Sequence, residues 1–252
     1  PVVLKLLRKE RTDRWRFLRE YCIHLCLRGE LTCLQGLPVA FETDTHFAFG
    51  QELAPAGDLC GLLTPGVGLP EPQVKRCASQ VASALSYLHG HSLVHRDVKL
   101  DNVFAFDPEC HLVKLGDFGL TCVTGCQVGP TSGSLPYASP ELCHLQGEQR
   151  LHLEPSVDTW AFGVLLFALL TGTFPWGEAA PGDPLFEEFQ VWHTWWAQHT
   201  WGKGEEDAPE VPNTWRGVGE AAREMLRGLM HLEAGRRCPP GEVERYLERA
   251  WT

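Results

Sequence analysis

Val94-His95-Arg96-Asp97-Val98-Lys99-Leu100-Asp101-Asn102, followed by Asp117-Phe118-Gly119, is the stretch whose reading decides the fold. Either triplet, His95-Arg96-Asp97 or Asp117-Phe118-Gly119, would mean little alone. Here both occur in order and bracket two short apolar runs joined by Asp107-Pro108-Glu109, which makes chance a poor explanation.

The surrounding 252 residues, 44% of them hydrophobic, are enough to bury a sizeable core as one large domain or two lobes sharing a cleft. The net charge of −10 argues against a nucleic-acid-binding surface. Residues 1–36 nevertheless carry eight Lys/Arg against four Asp/Glu, a solvated basic face beside an acidic remainder. Ten scattered cysteines lack zinc-site spacing, Cys22/Cys26 and Cys122/Cys126 being the nearest pairs, and read as ordinary thiols. The longest apolar run, Trp160 to Leu170, is too short to span a bilayer, and no signal-peptide pattern opens the chain, so a soluble, cytoplasmic protein is expected. The sequence begins at Pro1 and its first methionine is Met225, which predicts a fragment or a trimmed product.

The pattern predicts a strand over 1–7 with Lys5 in its middle. A helix is predicted around 12–28 with Trp15, Leu18, Cys22 and Leu25 as its stripe, then strands at Leu37–Phe41 and Phe47–Leu53 about a turn at 42–45. After the Pro/Gly-rich stretch 55–72 the character becomes helical. Val74, Cys77, Val81, Leu85 and Leu88 form a buried stripe, and further helical runs are expected at 157–171, 185–201, 217–232 and 241–250. Trp192, Trp195 and Trp196, with Trp201 beyond, read as a core-facing helix stripe rather than an exposed partner site.

The two opening motifs resemble the catalytic loop and magnesium loop of protein kinases. The resemblance extends over essentially the whole chain. Val3-Leu4-Lys5 resembles the Val-Ala-Ile-Lys strand and Glu20 the helix glutamate that pairs with its lysine, while Ser139-Pro140-Glu141 resembles Ala-Pro-Glu. Within the superfamily, Ala54-Pro55-Ala56-Gly57-Asp58-Leu59, Val67-Gly68-Leu69-Pro70-Glu71 and Phe174-Pro175-Trp176 are similar to the Src-homology-3-binding kinases.

This resemblance implies an α+β, bilobal protein-kinase-like fold, with a truncated β-rich small lobe at 1–53 and a larger α-helical lobe at 54–252. It implies a protein serine/threonine kinase that uses ATP and Mg²⁺, with a protein substrate, docking proteins, and no nucleic-acid or membrane partner, acting as a monomer. Asp97 would orient the hydroxyl, Lys99 steady the transferring phosphoryl group, and Asn102 and Asp117 hold metal. Lys5 with Glu20 would position ATP, Val3 would lie over the adenine ring, Gln51 would be the gatekeeper, Glu52 and Ala54 would bond the adenine edge through backbone groups, and Phe104 would floor the pocket.

Lys99, rather than an Ala-Ala-Arg type sequence, implies Ser/Thr specificity, with the Ser134 hydroxyl contacting Asp97 and Lys99. Arg237 would pair with Glu141. Arg96 in related kinases grips a phosphothreonine of the activation segment, but Pro130 occupies that position, with Thr131 next to it. The implied outcome is activity without loop phosphorylation, Arg96 meeting a carboxylate or water. The sequence shows no glycine-rich loop ahead of Lys5, and Val3 replaces an alanine. Both favour an alternative, a pseudokinase scaffold that keeps the fold and transfers little phosphate. The segments Pro181-Gly182-Asp183-Pro184 and Pro209-Glu210-Val211-Pro212 are too acidic for convincing proline-rich docking peptides and read as loops.

Overall fold

The computed structural model describes residues 1–130, 134–198 and 209–252. Strand β1 (Val2–Arg8) alternates, with Val3, Lys5 and Leu7 turned toward the protein and Val2, Leu4 and Leu6 outward. It pairs antiparallel with β3 (His46–Glu52), which also pairs with β2 (Gly36–Glu42), giving the order β1-β3-β2. The central position of β3 explains why Phe47, Ala48 and Phe49 are all buried. Its register sets Lys5 opposite Phe49 and Val3 opposite Gln51.

Helix α1 (Arg14–Cys26) starts at Asp13, whose side chain accepts the Arg16 N–H at 2.8 Å. Its buried face is Phe17, Glu20 and His24, with the Phe17 ring stacked 4.8 Å from Phe47. This corrects the stripe expected from spacing, since Trp15 is 76% and Leu18 42% exposed and Cys22 is exposed too. Two overlapping helical stripes compete on this segment. The one that wins stacks rings on β3 and brings Glu20 to Lys5.

The helical region begins with the short α2 (Leu59–Leu62) and the 20-residue α3 (Glu71–Gly90), whose expected stripe Val74, Cys77, Val81, Leu85 and Leu88 is buried. Short strands follow: β4 (Leu93–Val94) pairs with β7 (Cys122–Val123), β5 (Val103–Ala105) with β6 (Val113–Leu115), and β8 (Gln127–Val128) with β9 (Leu151–His152). Helix α4 (Pro140–Cys143) precedes β9, and α5 (Ser156–Thr171) is buried from Val157 to Leu170 at the centre of the core. It ends at Gly172, with φ +71°, where a Cβ would stand 2.5 Å from the Val67 nitrogen.

Helices α6 (Pro184–Gln198) and α7 (Glu220–Leu229) complete the region. Residues 199–201 of the expected 185–201 helix, including Trp201, lie outside the described residues. Trp192 joins Phe189 and Trp215 in an aromatic core, as its spacing predicts, while Trp195 and Trp196 are half-buried. The run expected as a helix at 241–250 is instead a 3₁₀ segment, Pro240–Tyr246, opened by two prolines that supply no N–H. All ten cysteines are free. Among the described residues, no helix is long and apolar enough to cross a membrane.

Candidate active site

The loop after β4 is held by one buried carboxylate. Asp158, at the start of α5, accepts the N–H of His95 and of Arg96, each at 2.8 Å, and lies 2.9 Å from His89 Nε2. The buried His95 ring is 2.9 Å from the Gly116 carbonyl, tying this loop to the one that carries Asp117. Arg96 and Asp117 both have left-handed backbone, at φ +71° and +56°, costly for residues with a Cβ and sustained here by these contacts.

The anchoring gathers Asp97, Lys99 and Asn102. Asn102 Nδ2 donates to the Asp97 carboxylate at 2.9 Å and to its carbonyl at 2.8 Å, and Lys99 Nζ lies 2.9 Å from Asp97 Oδ2. With both amide hydrogens committed to Asp97, Asn102 keeps its Oδ1 as an acceptor suited to a cation.

A second cluster joins the sheet to this loop. Lys5 Nζ contacts Glu20 Oε1 at 2.6 Å and Asp117 Oδ1 at 2.8 Å. Burial alone would lower the Lys5 pKa, but the two carboxylates outweigh it and raise it. Glu20 is pushed up because its burial outweighs the Lys5 contact. Partial burial would raise the Asp117 pKa, yet Lys5 and the Gly119 N–H hold its carboxyl below the usual range, so it stays ionised. Its side chain remains 41% exposed, and its contacts to Lys5 and the Gly119 N–H both fall on Oδ1. Arg19 Nη2 donates to the Gly119 carbonyl at 3.2 Å, a contact that residue type did not announce.

The residues assigned to an adenine pocket fall beside this cluster. Val3 faces Gln51 across β1 and β3, and both are half-buried. The Glu52 carboxylate is committed to Lys114, at 2.8 and 2.9 Å, and to the Gln35 N–H at 2.6 Å, which fixes the end of β3. The chain then turns at Ala54, whose carbonyl accepts the Gly57 N–H at 3.2 Å. Phe104, on β5, packs so closely on Gly116 that a Cβ there would lie 2.9 Å from its ring.

His24 is a site neighbour that the sequence reading missed. One helical turn after Glu20, it packs between Phe49 (ring centroids 5.1 Å) and Phe118 (4.9 Å), and among the described residues neither ring nitrogen makes a well-formed hydrogen bond. Burial, with Lys5 close by, lowers the His24 pKa to about 4. The i+4 spacing from Glu20 was the available signal.

In the segment from Asp117 to Glu141, the Arg237 guanidinium meets the Glu141 carboxylate at 2.6 and 2.8 Å, as expected. Two further expectations concern this segment. Arg96, expected to meet a carboxylate or water, donates to the Leu120 carbonyl at 3.2 Å. No hydrogen bond joins Ser134 to Asp97 or Lys99 among the described residues. The Ser134 carbonyl closes the Leu135–Tyr137 turn, and its side chain lines, with Asp97, a cavity of about 70 Å³. Thr131 lies outside the described residues.

The family description "Protein kinase domain" matches residues 1–251, and the chain belongs to that family. It is 44% identical over 250 residues to serine/threonine-protein kinase SBK1 of Danio rerio, covering 99% of this chain and 62% of that protein. It is 38% identical over 253 residues to serine/threonine-protein kinase SBK2 of Homo sapiens, covering 100% of this chain and 70% of that one. Serine/threonine-protein kinase meng-po of Drosophila melanogaster is 31% identical over 252 residues, covering 99% of this chain and 53% of that protein. The chain therefore spans about three fifths of the SBK1 relative's length.

Proposed function

We propose that this protein transfers the γ-phosphoryl group of ATP to serine or threonine hydroxyls of protein substrates. The observation that carries the reading is the convergence of Asp97, Lys99 and Asn102 on one side and Lys5, Glu20 and Asp117 on the other, on loops tied together by His95 and Gly116. The donor set fits a magnesium nucleotide: an ionised carboxylate, an amide oxygen and a lysine amino group. When bound, Mg²⁺ and ATP supply the phosphoryl group and screen its negative charge.

The chain's own residues do the remaining work. The Asp97 carboxylate, oriented by Asn102, accepts a hydrogen bond from the substrate hydroxyl and aligns its oxygen for in-line attack. Lys99, already beside Asp97, offers positive charge where negative charge gathers on the transferring group. Lys5 holds phosphate oxygens, and its pairing with Glu20 and Asp117 keeps it charged and pointed inward. Asn102 Oδ1 and the Asp117 carboxylate would ligate the cation. Val3, Gln51, Phe104 and the backbone of Glu52 and Ala54 would enclose adenine. The division into a β-rich lobe at 1–53 and a helical lobe at 54–252 belongs to the same reading, as does a cytoplasmic, monomeric enzyme. A nonenzymatic scaffold is the second reading, favoured by Val3, whose two extra methyls crowd the place of the ring.

The test is to incubate the protein with γ-labelled ATP, Mg²⁺ and a mixed protein substrate and to hydrolyse the product. Labelled phosphoserine or phosphothreonine supports the enzyme, and labelled phosphotyrosine would contradict the specificity. No label, together with retained nucleotide binding, favours the scaffold.

A further inference from the structure

Between α6 and α7, sharing no residue with the site above, lies a cavity of about 200 Å³ whose polar lining is His193, Trp196, Arg227, His231 and Arg236. Among the described residues no carboxylate lines it. The His193 and His231 rings meet edge to face with centroids 4.7 Å apart, and the Arg227 guanidinium lies over Trp196 at 4.6 Å and Trp192 at 5.0 Å. Among the described residues Arg227 forms no ion pair, although it is half-buried, and burial lowers its pKa from the ordinary arginine value. Among the described residues the Arg236 side chain has one ion-pair contact, 3.5 Å to the exposed Glu233.

The hydrogen bonds fix what the two imidazoles have left to offer. His193 Nε2 is 3.3 Å from the Arg227 carbonyl and so carries the proton, leaving Nδ1 a lone pair. His231 Nδ1 accepts the Glu233 N–H at 3.1 Å, leaving Nε2–H a donor. Both leftover nitrogens are buried and, among the described residues, unpartnered, and His193 is only 3% exposed. Unpartnered buried polar atoms are costly and ask for an occupant. That occupant must accept from His231 and donate to His193 beside two guanidinium groups. A hydrogen-phosphate group does all three, whereas sulfate has acceptors only. A single water would bring Arg227 no counter-charge.

We propose that this cavity binds a phosphate-class oxyanion, free or carried as a phosphomonoester, between Arg227, Arg236 and the open nitrogens of His193 and His231. Burial, with His231, Arg227 and Arg236 nearby, lowers the His193 pKa to about 4, and a bound anion relieves the repulsion among these groups. The other charged groups nearby are Glu220, Arg223 and Glu224 on α7, with Glu224 paired to Arg249 at 2.9 Å, and Glu233 and Arg237 on the following loop.

The experiment titrates the protein with inorganic phosphate, with sulfate, and with a phosphoserine peptide against its serine counterpart, all at matched ionic strength. Affinity is read by calorimetry, and the His193 and His231 signals by NMR. Phosphate is expected to move both histidine signals and to bind more tightly than sulfate. Arg236→Gln, an exposed change that leaves the packing intact, is expected to weaken binding by roughly tenfold or more, and His231→Phe similarly. Phosphate bound near Lys5 would be insensitive to Arg236→Gln and would leave these signals in place. A phosphopeptide that moves them and is displaced by phosphate assigns the source as a phosphorylated side chain, and phosphate binding without the peptide assigns the free ion. Unmoved histidine signals, an unchanged affinity in Arg236→Gln, or sulfate binding as tightly as phosphate would each overturn the proposal.

Discussion

Lys5 Nζ lies 2.8 Å from Asp117 Oδ1, an ion pair across 112 sequence positions that joins β1 to the loop after β6. Because the same amino group also holds Glu20, the sheet, α1 and this loop share one charged node. The node lies where nucleotide phosphates would sit in the proposed enzyme.

Removing the Asp117 charge therefore has a defined consequence. Asp117→Asn should abolish the magnesium-dependent part of nucleotide binding while leaving the fold intact. In a thermal-shift titration, Mg²⁺-ATP should raise the midpoint of the parent and not of the variant. Equal shifts would remove Asp117 from cation binding.

Val3→Ala tests the crowding argument. Val3 is half-buried opposite Gln51, and overpacking costs about 1–3 kcal/mol, so the smaller side chain should tighten adenine-nucleotide binding about fivefold or more. An unchanged dissociation constant would show that the pocket absorbs valine without strain.

The Glu141–Arg237 pair is a stability element. Arg237 is 1% exposed, so Glu141→Gln leaves a buried guanidinium without its counter-charge, at a cost of about 3–5 kcal/mol in a denaturant series. Burial would raise the Glu141 pKa, but Arg237 outweighs it and holds the carboxyl below its ordinary value of 4.5. The pair's contribution is therefore full above that value and lost as pH falls through the lower folded value. A variant as stable as the parent at neutral pH would contradict this.

His24 acts over a different pH window. Its pKa is about 4 in the folded chain against an ordinary 6.5, so on acidification the unfolded chain takes up the proton first. Stability should fall between pH 6.5 and 4, by on the order of 3 kcal/mol from this residue. His24→Leu, similar in size and placed between Phe49 and Phe118, should flatten the midpoint-versus-pH curve in that interval. Because His193 has a similarly lowered value, the slope should shrink rather than vanish. An unaltered slope would contradict the burial of a neutral ring.

Legibility in the sequence followed the length and self-sufficiency of each signal. The α3 stripe from Val74 to Leu88 was readable because twenty residues leave one apolar face and no competitor. The face of α1 was not, because Trp15 and Leu18 fit helical spacing as well as Phe17 and His24 do, and only the rings of β3 decide between them. The family motifs marked Asp97, Asn102, Asp117, Lys5 and Glu20 before any geometry, and the structure brings them into two clusters.

Contacts to backbone carbonyls were invisible beforehand. Arg96 on Leu120 and Arg19 on Gly119 involve acceptors that every residue carries, so no residue type marks them. His24 was overlooked for another reason: a lone histidine on a helix reads as ordinary polar decoration until its neighbours Phe49 and Phe118 are known.

The most direct test of the account is phosphate transfer by the Asp97→Asn variant, measured beside the parent with the same substrate and with nucleotide affinity determined in parallel. The account predicts that transfer falls by a factor of about a hundred or more while the dissociation constant for Mg²⁺-ATP stays within about twofold, because Asp97 serves the hydroxyl and not the nucleotide. Transfer by the variant at the parent's rate would contradict the account.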